Sequence, residues 1–334
     1  MPDRSAELAG PLAAWLSEAW RAPVEIRAMA RLFGGAARET YAVEAEIEGR
    51  SRPLVLRRDP PASLVATSRA AEFHALARAH AAGLPVPRPL LLDIAGTRLG
   101  APALVMQAVA GGRAAGLFES DPYGPKRAEV GRALFGALGR LHALVPDARD
   151  REMLPVQDAA GRLAWWQAAI AAHARGPEPV AEAALRWLAR HLPRPSGPPT
   201  IVHGDLRSGN ILAADGRLLA ILDWEMAHIG DPMEDLAWAA DPLWAHGDGQ
   251  LIGAMLPLAE AIAAWEAASA RAFDHGAWAW WRIFAGLQGL AIWITGAAEA
   301  ASGRSDDPVL LFAGLYPYRF HAAAVARLLA EAGA

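Results

Sequence analysis

Between residues 201 and 225 the chain reads IVHGDLRSGNILAADGRLLAILDWE. Apolar Ile201-Val202 runs into His203-Gly204-Asp205, and Asn210 follows five residues after Asp205. Two short apolar runs come next, divided by Ala214-Asp215-Gly216, and the second closes on Asp223, 18 residues after Asp205. Such a segment predicts short strands joined by tight turns, because Ser-Gly and Asp-Gly interrupt any helical period. A loop held between regular elements can aim two carboxylates and one amide at a single point. A turn with capping side chains accounts for one of these polar residues, but not for the ordered set.

The flanks set the surroundings of that loop. Residues 24–33 (VEIRAMARLF) and 39–48 (ETYAVEAEIE) alternate apolar and polar, as half-buried strands do, with Gly34-Gly35 between them. PLVLRR at 53–58 predicts a third strand, and residues 89–94 and 102–108 two more. Residues 63–82 predict an amphipathic helix that stops at Gly83, with Pro85 beyond. Gly111-Gly112 ends this region. Helical patterns follow at 126–145, 160–174 and 178–192, and again at 232–241, 249–270, 275–301 and 308–332. PRPSGPP at 193–199 is a stiff connector. The expectation is an α+β chain of two lobes: a small antiparallel sheet over 24–107 and a mostly helical part over 108–334.

Composition narrows the function. A chain of 334 residues is long enough for one large domain or two. No uninterrupted apolar run reaches the roughly 18–20 residues of a membrane span. The N-terminus lacks a basic stretch followed by an apolar one, so a cytoplasmic protein is expected. The absence of cysteine excludes disulfides, thiolate metal sites and a cysteine nucleophile. A net charge of −4 gives no global drive toward nucleic acid or anionic membrane. Of 32 basic residues only Lys126 is a lysine, so any lysine-dependent step has one candidate.

Asp205, Asn210 and Asp223 are all hard oxygen ligands. They suit Mg²⁺ shared with substrate phosphates. They suit zinc poorly, since His203 is the sole nitrogen ligand nearby. The His-x-Asp spacing, with Asn five residues on and a second Asp downstream, is that of a phosphoryl-transfer loop. In that logic Asp205 accepts the proton of an attacking hydroxyl while Asn210 and Asp223 hold Mg²⁺. His203 is expected to bond the loop backbone. Asp231 and Asp235 are expected as a helix N-cap and a buttress.

HGDLRSGN together with ILDWE resembles the aminoglycoside phosphotransferase/choline kinase-like (APH) family, a branch of the protein-kinase-like fold. HIGDPMEDLAW at 228–238 and GRLHAL at 139–144 resemble it too. Upstream, FGGAARETY (33–41) is similar to its glycine-rich loop, LVLRR to its third strand, Glu72 to its helix acid and ALVMQAVAGG (103–112) to its hinge. The resemblance covers about residues 24–330. GGxxRETY, LRR and DWE look most like the branch found beside, or fused to, acyl-CoA dehydrogenases, which includes kinases of hydroxyacyl-CoA substrates. The resemblance implies a two-lobed kinase-like fold using Mg²⁺ and ATP, with GTP as the alternative. It implies nucleotide contacts at Gly34, Gly35, Arg57, Glu72, Gln107 and Val109. Two positions depart from the pattern. Arg57 stands where kinases place a lysine, and its planar fork is not equivalent to an ammonium. Ala37 stands where relatives often carry a hydroxyl. Arg38 is read as solvent-facing.

The acceptor is the least legible part. Trp281, Arg282 and Gln288 share one long helix, and Arg282 stands among apolar neighbours. A buried arginine needs an anionic partner: Glu234, Asp235 or a substrate acid. From residue 236 onward nine acids oppose five arginines, too mild an excess for a polycationic ligand. The tryptophans point instead to an apolar acceptor. Three readings stay open: a kinase of a small hydroxyl-bearing substrate, an aminoglycoside or macrolide kinase, and a non-catalytic nucleotide-binding pseudokinase marked by Arg57 and Ala37. Nothing calls for a lipid, nucleic acid or protein substrate, and nothing sets an oligomeric state.

Overall fold

The computed structural model describes residues 4–32, 39–59, 68–195, 197–303 and 308–333. Gly34, Gly35, Ala37 and Arg38 lie outside the described residues. The chain opens with a helix that the strand alternation does not announce, α1 (Ser5–Trp20). Then come β1 (Val24–Leu32), β2 (Glu39–Ile47), β3 (Arg50–Arg58), α2 (Arg69–Ala81), β4 (Pro89–Asp93) and β5 (Ala103–Gln107). The strands form one antiparallel sheet in the order β1-β2-β3-β5-β4. Glu48 and Gly49 both have positive φ, the geometry of a two-residue hairpin turn, and so pin β2 against β3. Leu8, Leu12, Trp15 and Leu16 fall on one face of α1 and share a core with Tyr41, Val43, Leu54 and Leu56.

The larger part carries α3 (Arg127–His142), α4 (Ala148–Met153), α5 (Ala159–His173) and α6 (Pro179–Arg190). Four short strands follow: β6 (Thr200–Val202), β7 (Ile211–Ala214), β8 (Arg217–Ile221) and β9 (His228–Gly230). Beyond them lie α7 (Met233–Ala239), β10 (Leu251–Ile252), β11 (Leu256–Pro257), α8 (Leu258–Ser269), α9 (Trp278–Ala301), α10 (Pro308–Ala313) and α11 (Tyr316–Glu331). Two helices differ from expectation. The stretch 249–270 begins as a hairpin, because Gly253 and Ala254 adopt positive φ and helix α8 starts only after Pro257. The stretch 308–332 breaks at Gly314-Leu315. There Gly314 packs so close to α9 that an added Cβ would lie 2.7 Å from that of Ala297.

By length and hydropathy, residues 278–301 and 308–331 could each cross a membrane. Helix α9 has 72% of its apolar window buried inside the protein, against α5, α6, α7, α10 and α11. It is apolar on all sides because it is surrounded on all sides.

Helix α2 belongs to both parts. Ser68 caps it by accepting from the Ala71 N–H. Its Ala71, Ala75, Leu76 and Ala79 join the core of the larger part. Its polar side is tied to α4: His74 Nε2 lies 2.8 Å and Arg78 Nε 3.2 Å from the two oxygens of Asp150, a fully buried carboxylate. Burial pushes the Asp150 carboxyl up, but bonds from Asp147 N–H, His74 and Arg78 outweigh it and hold the group below the usual range. Replacing Asp150 by Ala should therefore cost about 2–3 kcal/mol in urea unfolding. A loss within 0.5 kcal/mol, the ~0.5 kcal/mol expected of surface changes, would mean that α2 is held by its alanine face alone.

Candidate active site

The quoted segment folds as turn and hairpin. β6 pairs with β9, which brackets everything between them. Asp215 and Gly216, both at positive φ, close the β7–β8 hairpin. Lys126 lies exposed at the foot of α3, its Nζ 3.5 Å from the Asp215 carbonyl, and so reaches no catalytic group.

The loop 203–207 hangs from one carboxylate. Asp235 Oδ2 accepts from the His203 N–H at 2.8 Å, and Oδ1 from the Gly204 N–H at 2.8 Å. His142 Nε2 lies 3.0 Å from Asp235 Oδ2, and Trp265 Nε1 donates to His142 Nδ1 at 2.9 Å. His142 therefore donates through Nε2 to the carboxylate. Burial raises the Asp235 carboxyl, yet His142 and the loop N–H groups overcome that and hold it low. Gly204 has φ +83°, and a Cβ there would sit 2.5 Å from the Met226 carbonyl, so no larger residue fits. Its carbonyl accepts from Gln288 Nε2 of α9 at 3.0 Å. His203 bonds backbone at both ring nitrogens, to the Leu222 carbonyl through Nε2 and from the Asp205 N–H through Nδ1. Asp231 is not the N-cap of α7, a place held by Pro232; from the residue before it, Asp231 accepts from the Met233 N–H at 2.9 Å.

These restraints present Asp205. Its Oδ1 accepts from Trp238 Nε1 at 2.7 Å and its Oδ2 from Asn210 Nδ2 at 2.7 Å. Arg207 Nε stands 3.3 Å from Oδ1, and its guanidinium lies over the Trp244 ring at 5.1 Å. Trp238 and Arg207 are the site residues that spacing alone does not reveal: Trp238 reads as a core residue and Arg207 as a loop arginine, while Gln288, grouped with the acceptor side chains by its helix, bonds the loop backbone instead.

Asp223 faces Asp205 from the end of β8, in a left-handed conformation (φ 64°). Its Oδ1 accepts from Arg57 Nη2 at 2.7 Å, while Arg57 Nη1 reaches Glu72 Oε1 at 2.6 Å. Glu225 Oε2 lies 3.8 Å from Arg57 Nη2, and Arg69 pairs with the other Glu72 oxygen. One guanidinium thus joins β3, α2 and the turn after β8. Burial opposes the charge on Arg57, but Asp223, Glu72 and Glu225 outweigh it and hold the group protonated.

The two aspartates are driven apart electrically. Burial, with the nearby Asp223 charge adding to it, pushes the Asp205 carboxyl up. Burial also acts on Asp223, but Arg57 overrides it and holds that carboxyl down. Such a split suits one group to take a proton and the other to stay ionised. The Asp205 and Asp223 side chains keep 13% and 25% exposure, so both can be reached by a ligand, whereas Asp235 cannot. Among the described residues no hydrogen bond engages Asn210 Oδ1 or Asp223 Oδ2. Two oxygen donors therefore remain for a hard cation, which fits Mg²⁺.

At the hinge, the Gln107 N–H is already taken by the Arg88 carbonyl at 2.9 Å. Among the described residues the Val109 N–H has no backbone acceptor, so it is the better placed of the two. The α9 expectation needs correction. Trp281 has no exposed surface and packs edge-on to Trp280 and Phe284. Glu234 is taken by Arg162 at 2.6 Å and Asp235 by the loop, so neither is the partner of Arg282. Gln288 is the member of that trio that touches the catalytic loop. A cleft of about 490 Å³ lined by Trp187, His191, Arg194, Asp274 and Trp280 shares no residue with this site.

Acid should weaken the site's scaffold first. Glu234 and Asp235 both sit below their unfolded values: burial raises them, and Arg162 and His142 respectively lead the forces that lower them. Their stabilisation is complete above the unfolded carboxylate range and is lost as pH falls through the folded values. Asp205, being raised, contributes with the opposite sign. Urea unfolding followed from about pH 7 to pH 3 should show stability falling below about pH 5. The slope should be shallower in Asp235→Asn. Equal slopes in the two proteins would remove Asp235 from that account.

Residues 29–284 match the model of the APH phosphotransferase enzyme family. Acyl-CoA dehydrogenase family member 10 of Mus musculus is 30% identical over 199 residues, which is 56% of this chain and 18% of that protein. Acyl-CoA dehydrogenase family member 11 of Gallus gallus is 32% identical over 195 residues, 55% of this chain and 24% of that protein. The chain thus spans a quarter or less of the length of these two curated relatives. The choline kinase LicA of Streptococcus pneumoniae superposes with a TM-score of 0.65 at 17% identity, covering 96% of this chain and 99% of that one, which shows a shared fold. A kinase-like pair of lobes around an HGD loop and a family match over most of the length lead to one assignment: the chain belongs to the phosphotransferase enzyme family.

Proposed function

We propose that the chain transfers the γ-phosphoryl group of ATP, or of GTP, to a hydroxyl of a small molecule, with hydroxyacyl-CoA esters the first acceptors to test. The observation that carries this reading is the geometry of two carboxylates on one short segment, Asp205 fixed by Trp238 and Asn210, and Asp223 fixed by Arg57. Residues 24–107 would hold the nucleotide, with Val109 at the adenine edge and Gly34-Gly35 near the phosphates. Residues 108–334 would hold the acceptor and the reacting groups. A cytoplasmic location agrees with the composition.

Asp205 orients the acceptor hydroxyl and takes its proton on a carboxylate oxygen as the new O–P bond forms and the bond from the γ-phosphorus to the bridging oxygen breaks, the nucleoside diphosphate leaving. Trp238 and Asn210 fix that carboxylate in place, so the hydroxyl is held in line without further ordering. Asn210 Oδ1 and Asp223 Oδ2 would bind Mg²⁺, which supplies charge neutralisation on the phosphate oxygens when bound. Arg57 offers its remaining N–H groups to the phosphates, and Glu72 with Arg69 holds it upright. Arg207, stacked on Trp244 and 3.3 Å from Asp205, sets a cation beside the attacking hydroxyl.

A second reading, nucleotide binding without turnover, draws on one fact. Arg57 already grips Asp223 at 2.7 Å, where an incoming cation competes for the same carboxylate. Thermal unfolding with Mg·ATP or Mg·GTP, against Mg²⁺ alone, addresses both. Ligand at 100 times its dissociation constant should add about 2.7 kcal/mol, and Asp223→Ala should abolish the gain. Asp205→Asn should keep the gain while turnover drops about 10²–10⁴-fold. Unchanged turnover in Asp205→Asn would refute the assigned base, and absent turnover with any acceptor would favour the second reading.

A further inference from the structure

Several large apolar side chains are exposed singly, Val145 and Ile94 among them, but around Phe118 and Tyr316 they gather. Phe118 is 68% exposed, Leu311 64%, Leu315 53% and Tyr316 46%. The rings of Phe118, Phe312 and Tyr316 gather there, with centroids of Phe118 5.6 Å from Phe312 and 5.5 Å from Tyr316, both edge-on. Exposed apolar clusters of this kind mark binding surfaces.

Two independent paths connect the cluster to Asp205. One is a run of rings. Tyr316 meets Phe320 at 6.1 Å, Phe320 meets His321 at 6.0 Å, and His321 stacks on Trp238 at 6.2 Å, whose Nε1 bonds Asp205. His321 is itself fixed by Asp241 Oδ1 at 2.8 Å and Trp293 Nε1 at 2.6 Å. The other path is the segment 113–123, which lies along the catalytic loop. Arg113 and Ala213 exchange backbone bonds, and Tyr123 Oη donates to the Ser208 carbonyl at 3.2 Å. His246 spans the gap, donating through Nδ1 to the Glu119 carbonyl at 2.6 Å and accepting from Ser208 Oγ at Nε2 at 2.7 Å. Phe118 is the next residue to Glu119, so it is held at the rim of the loop that carries Asp205 and Asn210.

The charge beside the cluster is cancelled. Glu119, the carboxylate beside Phe118 in the chain, is held by Arg113 through both oxygens. A polycationic ligand would meet no free carboxylate from that pair, and an apolar one no desolvation penalty from an unpaired charge.

We propose that Phe118, Phe312 and Tyr316 form the acceptor subsite, taking the apolar body of a molecule whose hydroxyl lies at Asp205; this rests on the phosphotransferase reading. The substrate class is an alcohol borne on an apolar chain or ring, rather than a cationic sugar or amine. The apolar surface buried on these rings supplies the binding energy that positions the hydroxyl.

The test uses the full chain with Mg²⁺ and a non-hydrolysable ATP analogue. Straight-chain hydroxyacyl-CoA esters of increasing length are titrated by calorimetry, with choline as the cationic control. Affinity should rise about fourfold per added methylene until the rings are covered. Phe118→Ser and Tyr316→Ser should flatten that rise while keeping the stabilisation by Mg·nucleotide. A flat series with nucleotide stabilisation intact overturns the subsite and leaves the phosphotransferase reading standing. A rise that survives both variants overturns the assignment to these rings. If the protein instead dimerises in sedimentation, and Phe118→Ser makes it monomeric without changing the series, a second copy covers the rings and the subsite is wrong. Loss of nucleotide stabilisation in the wild-type protein removes the reading beneath both.

Discussion

The carboxylate of Asp235 is the support on which the candidate site depends. It is fully enclosed, and a buried charge is tolerated only where hydrogen bonds replace its hydration. Three donors do so here: two successive backbone N–H groups of the loop and the ring of His142. The exchange works in both directions. The carboxylate is kept ionised, and the loop is held at the one place where its backbone could not be satisfied by a neighbouring strand. Gly204 makes this possible, since only glycine combines its positive φ with contact against Met226. The preceding residue, Glu234, repeats the device within α7 by binding Arg162, with His228 at 3.3 Å. One short helix thus ties the catalytic loop, β9 and α5 together.

Arg57 plays the corresponding part between the lobes. A lysine would offer one compact charge, whereas the guanidinium donates to Glu72 with one arm and to Asp223 with the other. Because α2 carries Glu72 and is itself tied to α4 through Asp150, the two lobes meet through a chain of directed, mostly buried ion pairs. Directed pairs fix geometry more than they add stability, since desolvation offsets most of their attraction. The consequence is that Arg57, Glu72 and Asp223 hold one another in a fixed arrangement between the lobes.

Much of the fold can be read from periodicity. The runs 24–33, 39–48 and 53–58 correspond to the first three strands within a few residues at each end, but only β2 buries every other residue: β1 buries Val24 alone, and β3 ends on three successive buried residues, Leu56, Arg57 and Arg58. Periodicity fails where tertiary packing ends a helix early. Gly314 looks permissible inside a helix until it is seen pressed against Ala297, and α8 looks longer until the turn at Gly253-Ala254 is seen. Helix α1 is legible in hindsight, since Leu8, Leu12, Trp15 and Leu16 follow the helical period, but its partner surface lies on strands far along the chain.

The sequence by itself singled out the three polar residues of the candidate site. Asp205, Asn210 and Asp223 come from one continuous stretch of 19 residues, and a short loop and hairpin can bring such a stretch to a point without help from distant chain. The roles of His203 and Asp235 belong with it, because they are backbone contacts made by residues close in sequence to the loop or to α7. Only the tertiary structure decided what surrounds that centre. Trp238 reaches Asp205, Gln288 reaches Gly204, and Phe118 meets Tyr316 across separations of 33, 84 and 198 residues. None of those side chains shows its partner until packing brings the two together. The same physics took Trp281 out of the part its position suggested: on a helix enclosed by its neighbours, the residue that faces the site is set by rotation about the helix axis, and that rotation is fixed by contacts remote in the chain.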